Sequence, residues 1–374
     1  MKRIPSVLLG AALLLLPLFL LGAGGGDSAP LSSAIWAGGG RLTSYLEGYL
    51  NLHLPWVDRM AEWNLSIRAF GGQREYNQVF ICGDELIRDI DPPVEYSLRE
   101  NAASILEFAE RGSIPTYCMI VPTASAIRQQ SLPPFTQTQM VNQKQIIEDV
   151  YSEMVGRVTV ADTYPVLFNA RDQYLYYRTE DNLTSLGGFY LYTVLGPKLL
   201  EGVARPSLAD YDIEFVKNDY YGSLYQKSPY KDARADSLAI FRYTKNPRQY
   251  LVKKDQDGAL KTYHTLYPLH MLDLSREMDI FLGGLSAITT IEANSPYRAS
   301  LLVFGDKTAL AYLPFLANHY STVTLVDLFQ LSSQGYDSIS LLDYDQVLFG
   351  YSIETFMHYN IPSRANRLLD TLDD

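Results

Sequence analysis

Leu301-Leu302-Val303-Phe304-Gly305-Asp306-Lys307-Thr308 reads as a buried strand that runs into a glycine turn and then opens a helix over 309–319. The four uninterrupted apolar residues Leu301–Phe304 do not alternate as in a half-exposed strand, and suit one covered on both faces. Outward from it the same grammar repeats. Gln78–Cys82, Ile114–Val121, Arg157–Ala161, Thr322–Leu325 and Gln346–Gly350 are short buried strands. Between them, Ser97–Arg111 and Met140–Met154 carry apolar residues at helical spacing, stopped by Gly112 and Gly156, and Thr184 caps a helix to about Leu199. Strands alternating with helices predict an α/β fold, a mostly parallel sheet with helices on both faces. The first four of these strands before and including 300–304 are expected to share that sheet.

Residues 211–270 interrupt the rhythm. They are rich in Tyr and Lys, alternate in short runs, and contain an Asp257-Gly258 turn signal, so a β-rich antiparallel insertion is expected there. At the other end of the chain, Lys2 and Arg3 precede a 17-residue apolar run, Val7–Ala23, followed by three glycines. Residues 1–26 are therefore a signal peptide or an N-terminal membrane anchor. Leu21 fits cleavage after Ala23 poorly, which favours the anchor, and the positive end places the rest outside the cytoplasm. A Gly/Ser/Pro-rich stalk over 27–41 leads into one extracytoplasmic domain, 42–374, beginning with a helix over Leu42–Ile67.

The chain has 374 residues and a net charge of −11, which leaves no basic footprint for nucleic acid. Its two cysteines, Cys82 and Cys118, sit in apolar strands and read as packing groups rather than a bridge. The histidines, His53, His264, His270, His319 and His358, show no metal-binding spacing, and nothing calls for a metal or another cofactor. The 28 tyrosines could stack on sugars, but semi-buried packing explains them more simply. The sequons at Asn64 and Asn182 matter only in a glycosylating pathway.

In parallel α/β sheets chemistry sits at the carboxyl ends of the strands, which directs attention to Gly305–Thr308. This stretch resembles the Gly-Asp-Ser nucleophile block of SGNH hydrolases, in the version found in the DHHW family and the alginate O-acetylation proteins. Further pieces of the resemblance are Tyr117–Thr123, Leu132–Pro134, Tyr176–Thr179, Phe281–Gly284 and Pro314–Tyr320, in the same order. The resemblance implies an SGNH-like fold and a bacterial source. It also implies work at the outer face of the membrane on an exported polysaccharide, with a membrane-bound O-acyltransferase as partner.

Set against that family, the reactive positions differ. Lys307 stands where the serine nucleophile is expected, and an ammonium cannot replace a base-activated hydroxyl in ester chemistry. Thr308 is adjacent, but one helical position rotates the side chain by about 100°. After Arg178-Thr179, Glu180 stands for the orienting Asp, Asn182 for the base histidine and Leu183 for the tryptophan. An amide accepts no proton at neutral pH. Leu285 takes the place of the oxyanion-hole Asn after Gly283-Gly284. The backbone-critical Gly305, Asp306, Gly283 and Gly284 are present, so a catalytically inactive member is expected. An active esterase or O-acetyltransferase with a rearranged site, and a purely structural envelope protein, are the alternatives. The ammonium of Lys307 is expected within about 4 Å of Glu180 or Asp181, closing the old pocket.

Overall fold

Covering both faces of a strand requires helices above and below it, and the Gly305–Gly350 pair shows how that is met. The computed structural model describes residues 57–372 apart from 135, 137–139 and 257–258. The chain divides into two units, Met1–Ala61 and Glu62–Asp374, and the sheet belongs to the second. The expected anchor and stalk lie outside the described residues, as does most of the helix expected over 42–67, whose described part belongs to a helix Val57–Phe70. Among the described residues no helix is long and apolar enough to cross a membrane.

The strands are β1 (Glu75–Tyr76), β2 (Val79–Cys82), β3 (Glu85–Arg88), β4 (Thr116–Val121), β5 (Thr159–Val160), β6 (Tyr211–Tyr220), β7 (Asp236–Tyr243), β8 (Tyr250–Gln256), β9 (Ala259–Tyr263), β10 (Ile288–Ala293), β11 (Ser300–Gly305), β12 (Thr322–Val326) and β13 (Gln346–Ser352). Eight of them form the central sheet in the order β5-β4-β13-β11-β12-β10-β8-β9. Strands β5 to β12 in that order are parallel, and β10, β8 and β9 continue the sheet antiparallel. The fold is therefore mixed α/β with a mostly parallel sheet, as the alternation of elements predicts.

Helices that frame it include α1 (Glu95–Gly112), α2 (Gln143–Met154), α3 (Ser185–Leu199), α4 (Ala309–Leu316) and α5 (Ile353–His358). Phe304 and Phe349 are register partners, and Phe108 of α1 meets both edge-on, at 5.8 and 5.2 Å between centroids. The next pair along, Gly305 and Gly350, presents the opposite face. A Cβ on Gly350 would lie 2.3 Å from the Tyr312 hydroxyl, so α4 packs on that face and needs a glycine beneath it. On the same side α3 crosses α4 closely enough that a Cβ on Gly188 would stand 2.0 Å from the Ala311 carbonyl. Thr184 caps α3 by accepting the Gly187 N–H at 3.2 Å.

One strand expected in the central sheet lies elsewhere. Val79–Cys82 pairs with β1 and β3 in a separate three-stranded antiparallel sheet. Gly83, at φ +71°, turns the chain straight back so that Cys82 faces Glu85, and a strand paired to its own hairpin has no need of a crossover. Its burial comes instead from Leu65, Ala69 and Leu224 on one side and Leu132 on the other. Within 211–270, β6 and β7 form a two-stranded antiparallel ribbon, while β8 and β9 join the central sheet. The expected Asp257-Gly258 turn lies outside the described residues. Cys82 and Cys118 are both free and buried, in different sheets, and burial pushes each thiol up to about 12.

Candidate functional site

A parallel sheet gathers the ends of its strands on one edge, and the neighbours β4, β13 and β11 bring three chain segments together there. Their continuations, Val121–Ser125, Ser352 with Glu354, and Lys307–Thr308, line a cleft together with Tyr176, Tyr177, Glu180–Leu183 and Arg88. Lys307 and Glu180–Asn182, far apart in sequence, thus meet at one edge. The Asn182 amide donates to the Lys307 carbonyl at 3.4 Å, and its own oxygen accepts the Leu183 N–H at 2.9 Å.

The cleft is organised by charge. Lys307 Nζ lies 3.3 Å from Asp181 Oδ2, and the same oxygen lies 2.8 Å from Arg88, whose other nitrogen reaches Glu354 at 2.5 Å. The expected ion pair is present, with Asp181 rather than Glu180 as the partner. Burial opposes the charge on Lys307, but Asp181, then Glu180 and Asp306, outweigh it and hold the ammonium above the ordinary lysine range. Burial likewise works against the Asp181 carboxylate, and Lys307 and Arg88 together bring it below its ordinary range. Burial raises Glu354, the attraction of Arg88 notwithstanding. The free space left in the cleft is about 40 Å³, room for a few waters at most.

Glu180 is turned away from Lys307. Its carboxylate accepts the Ser223 N–H at 2.7 Å, the Ser223 hydroxyl at 2.8 Å and the Tyr220 hydroxyl at 3.1 Å. Gly222 must be a glycine here, because a Cβ would fall 2.5 Å from Glu180. Asp306 is equally committed. One oxygen accepts the Thr308 N–H at 2.9 Å, and the other accepts the Ser352 N–H at 2.9 Å and the hydroxyls of Ser352 and Thr355, each at 2.7 Å. It ties the turn after β11 to the start of α5. Thr123, Ser125 and Gln143 close a third network, with Gln143 Nε2 donating to Thr123 at 2.8 Å.

The glycine loop is not part of this cleft. Leu282, Gly283 and Gly284 all have positive φ, of 56°, 77° and 84°. The carbonyls of Gly283 and Gly284 are held by the buried Lys254 ammonium, at 2.7 and 2.5 Å. Burial pushes that ammonium down to about 8, against the pull of Asp279. Leu285 packs against the core, and neither it nor the two glycines lines the cleft. With the loop's carbonyls fixed on Lys254, its geometry follows from a lysine that no local sequence signal marks.

The profile of the DHHW protein family matches residues 94–326, well over half of the chain. The chain belongs to the DHHW family. Among solved structures, a DHHW family protein from Eubacterium siraeum superposes with a TM-score of 0.63 at 20% identity, covering 77% of this chain and 97% of its own. Bacillus cereus PatB1, solved with a sulfonyl adduct, superposes with a TM-score of 0.63 at 15% identity, covering 76% and 97%. The O-acetyltransferase domain of Pseudomonas putida AlgJ is more distant, with a TM-score of 0.45 at 13% identity, covering 77% and 96%. No curated protein matches in sequence. The likeness to the first two structures is one of fold, and it agrees with the mostly parallel α/β sheet.

Within this DHHW fold the described histidines lie away from the cleft. His319 bonds Tyr192 at 2.8 Å, and His358 faces the carbonyls of Asp91 and Pro92 at 3.1 and 3.2 Å. Among the described residues no group of three or more His, Cys, Asp and Glu could hold a metal ion. Thr308 is buried, and the Ser352 hydroxyl is spent on Asp306. Sequence reasoning missed Arg88 and Glu354, which arrive from β3 and α5 and carry no local signal. Ser352 was findable, since a Ser at the end of a recognisable strand and three residues before Thr355 is a helix-cap pattern.

Proposed function

We propose that this DHHW protein is a catalytically inactive, SGNH-like component of the cell envelope. In this reading it serves exopolysaccharide or cell-wall O-acylation as an accessory, holding a glycan or bracing a membrane-bound O-acyltransferase at the outer face of the membrane. Family membership supports the setting, and one observation carries the inactivity. The family's nucleophile and base positions, Lys307 and Asn182, are joined to each other and to Asp181, Arg88 and Glu354 in a self-satisfied network. The two carboxylates of that network, Asp181 and Glu354, are paired to cations and accept from no hydroxyl among the described residues, and about 40 Å³ of free space remains beside them. The purified chain incubated with p-nitrophenyl acetate should release nitrophenol no faster than buffer. Lys307→Ser should do no better, because position 182 still lacks a base. Turnover by the unmodified chain that disappears in Thr308→Val or Lys307→Met would overturn this reading in favour of a rearranged esterase or acetyltransferase site.

A further inference from the structure

The opposite edge of the sheet holds a second cavity, of about 220 Å³, whose chemistry differs from that of the cleft. Its position follows from register. Tyr250 pairs with Ala293 at the far end of β10, and Glu292 pairs with Thr322, which in turn pairs with Ser300. Tyr250 therefore lies at the amino edge of the parallel strands, away from Lys307. Asn318, between α4 and β12, lies at the same edge. Tyr243, Tyr250, Tyr267, Asn318, Arg242 and Arg248 are among the residues lining the cavity.

Arg248 is the unusual member. It is partly buried, yet no Asp or Glu among the described residues lies within ion-pair distance of it, in a chain of net charge −11. Its one hydrogen bond is from Nε to the Asn318 carbonyl, at 3.2 Å. Arg242, by contrast, is paired to Glu214 at 3.1 Å. Asn318 is itself immobilised. Its amide donates to the carbonyls of Pro314 and Phe315 at 3.2 and 3.1 Å and to the Tyr211 hydroxyl at 3.3 Å, and its oxygen accepts the Tyr250 hydroxyl at 2.5 Å. The guanidinium is thus fixed at one nitrogen while its two terminal nitrogens have no partner among the described residues. That is a preorganised fork, the geometry that takes a carboxylate in two parallel hydrogen bonds. Aromatic rings beside it supply flat faces for a ring, and the phenols supply polar edges.

We propose that this cavity binds a carboxylate carried on a six-membered ring, with Arg248 gripping the carboxylate and the tyrosines packing the ring. The site is independent of whether the cleft at the other edge is inactive, and it gives a role to the Pro314–Tyr320 stretch beyond packing. Arg242, the other guanidinium lining the cavity, is already paired to Glu214, so Arg248 offers one unmatched charge, which suits a monoanion.

Titration calorimetry of the full chain tests this with four probes: glucuronate and its neutral counterpart glucose, benzoate and its neutral counterpart benzyl alcohol. At least one carboxylate should bind at least tenfold more tightly than its neutral counterpart. Glucuronate over benzoate identifies a sugar acid, and the reverse an aromatic acid. Arg248→Gln should weaken that carboxylate at least tenfold with the neutral probes unmoved, and Arg248→Lys should recover only part of the loss. Should the variants fold poorly, modification of Arg248 by phenylglyoxal in the unmodified chain, mapped by mass spectrometry, should slow when the carboxylate is present. No binding by either carboxylate, equal binding of the neutral partners, or Arg248 modified at the same rate with and without ligand would overturn the site.

Discussion

The two edges of the central sheet treat charge in opposite ways. At the carboxyl edge, Lys307, Asp181, Arg88 and Glu354 satisfy one another and leave about 40 Å³ free. At the amino edge, Arg248 is fixed by Asn318 but meets no carboxylate among the described residues, beside about 220 Å³ of space. A parallel sheet normally concentrates function where its strands end. Here the expected edge has neutralised itself, and the edge that conventional reasoning ignores holds the unmet charge. The first arrangement matches each charge within the fold, and the second leaves Arg248 free for the ring-borne carboxylate proposed above.

Four substitutions and conditions probe that contrast, and the largest effect belongs to Asp306. Its carboxylate accepts four hydrogen bonds from Thr308, Ser352 and Thr355. Asp306→Ala should cost about 3–4 kcal/mol by strongly stranding buried donors, read as a shift of the urea midpoint. A loss comparable to that of a surface substitution would mean the carboxyl edge is not held together as described.

At the amino edge the response is to pH. Burial, then Arg248 and Arg205, push the His319 imidazole down to about 4. A group held neutral in the fold takes up its proton first in the unfolded chain, at about 6.5, so stability falls as pH drops from there towards 4. The expected loss is about 3 kcal/mol across that window. Urea melts at pH 7 and pH 4.5 should show it, and His319→Gln should flatten the difference while losing the 2.8 Å contact to Tyr192.

Asp181→Asn should cost less, about 1–2 kcal/mol, since Arg88 and Lys307 are both partly exposed. The Asp181 carboxyl is lowered in the fold, so its contribution is complete above the ordinary carboxylate range and is lost as pH falls below it. In Asp181→Asn the acid limb of the stability curve should be correspondingly shallower. Smallest of all is Lys307→Met. With 46% of its side chain exposed, Lys307 should contribute no more than about 1 kcal/mol, and a double-mutant cycle with Asp181→Asn should give a coupling of about 0.5 kcal/mol.

The sequence carried the frame of this molecule because buried parallel strands are written as unbroken apolar runs. β4, β11, β12 and β13 were legible for that reason, and Thr184 and the turn at Gly305 marked where chain direction changes. The run at 78–82 looks the same, and only the glycine turn after Cys82 distinguishes a hairpin from a crossover strand. In the cleft, Lys307 and Asn182 were legible by their departure from a motif. Asp181 could be named only as one of two partners, since one carboxylate of Glu180–Asp181 pairs with Lys307 and the other is held by Ser223 on a segment no pattern connects to it. Lys254 and Arg248 were illegible. Each sits in a polar, lysine- and arginine-rich stretch, and its meaning depends on which backbone carbonyl it meets across the fold.

The proposal that the carboxyl edge holds no activated nucleophile is open to one direct measurement: the intact mass of the full chain after incubation with phenylmethylsulfonyl fluoride, with the modified peptide mapped. The mass should remain that of the unmodified chain, with Lys307 held on Asp181 and Ser352 on Asp306. A stoichiometric sulfonyl adduct on Thr308, Ser352 or Lys307 would contradict the inactive reading and make this edge a working active site.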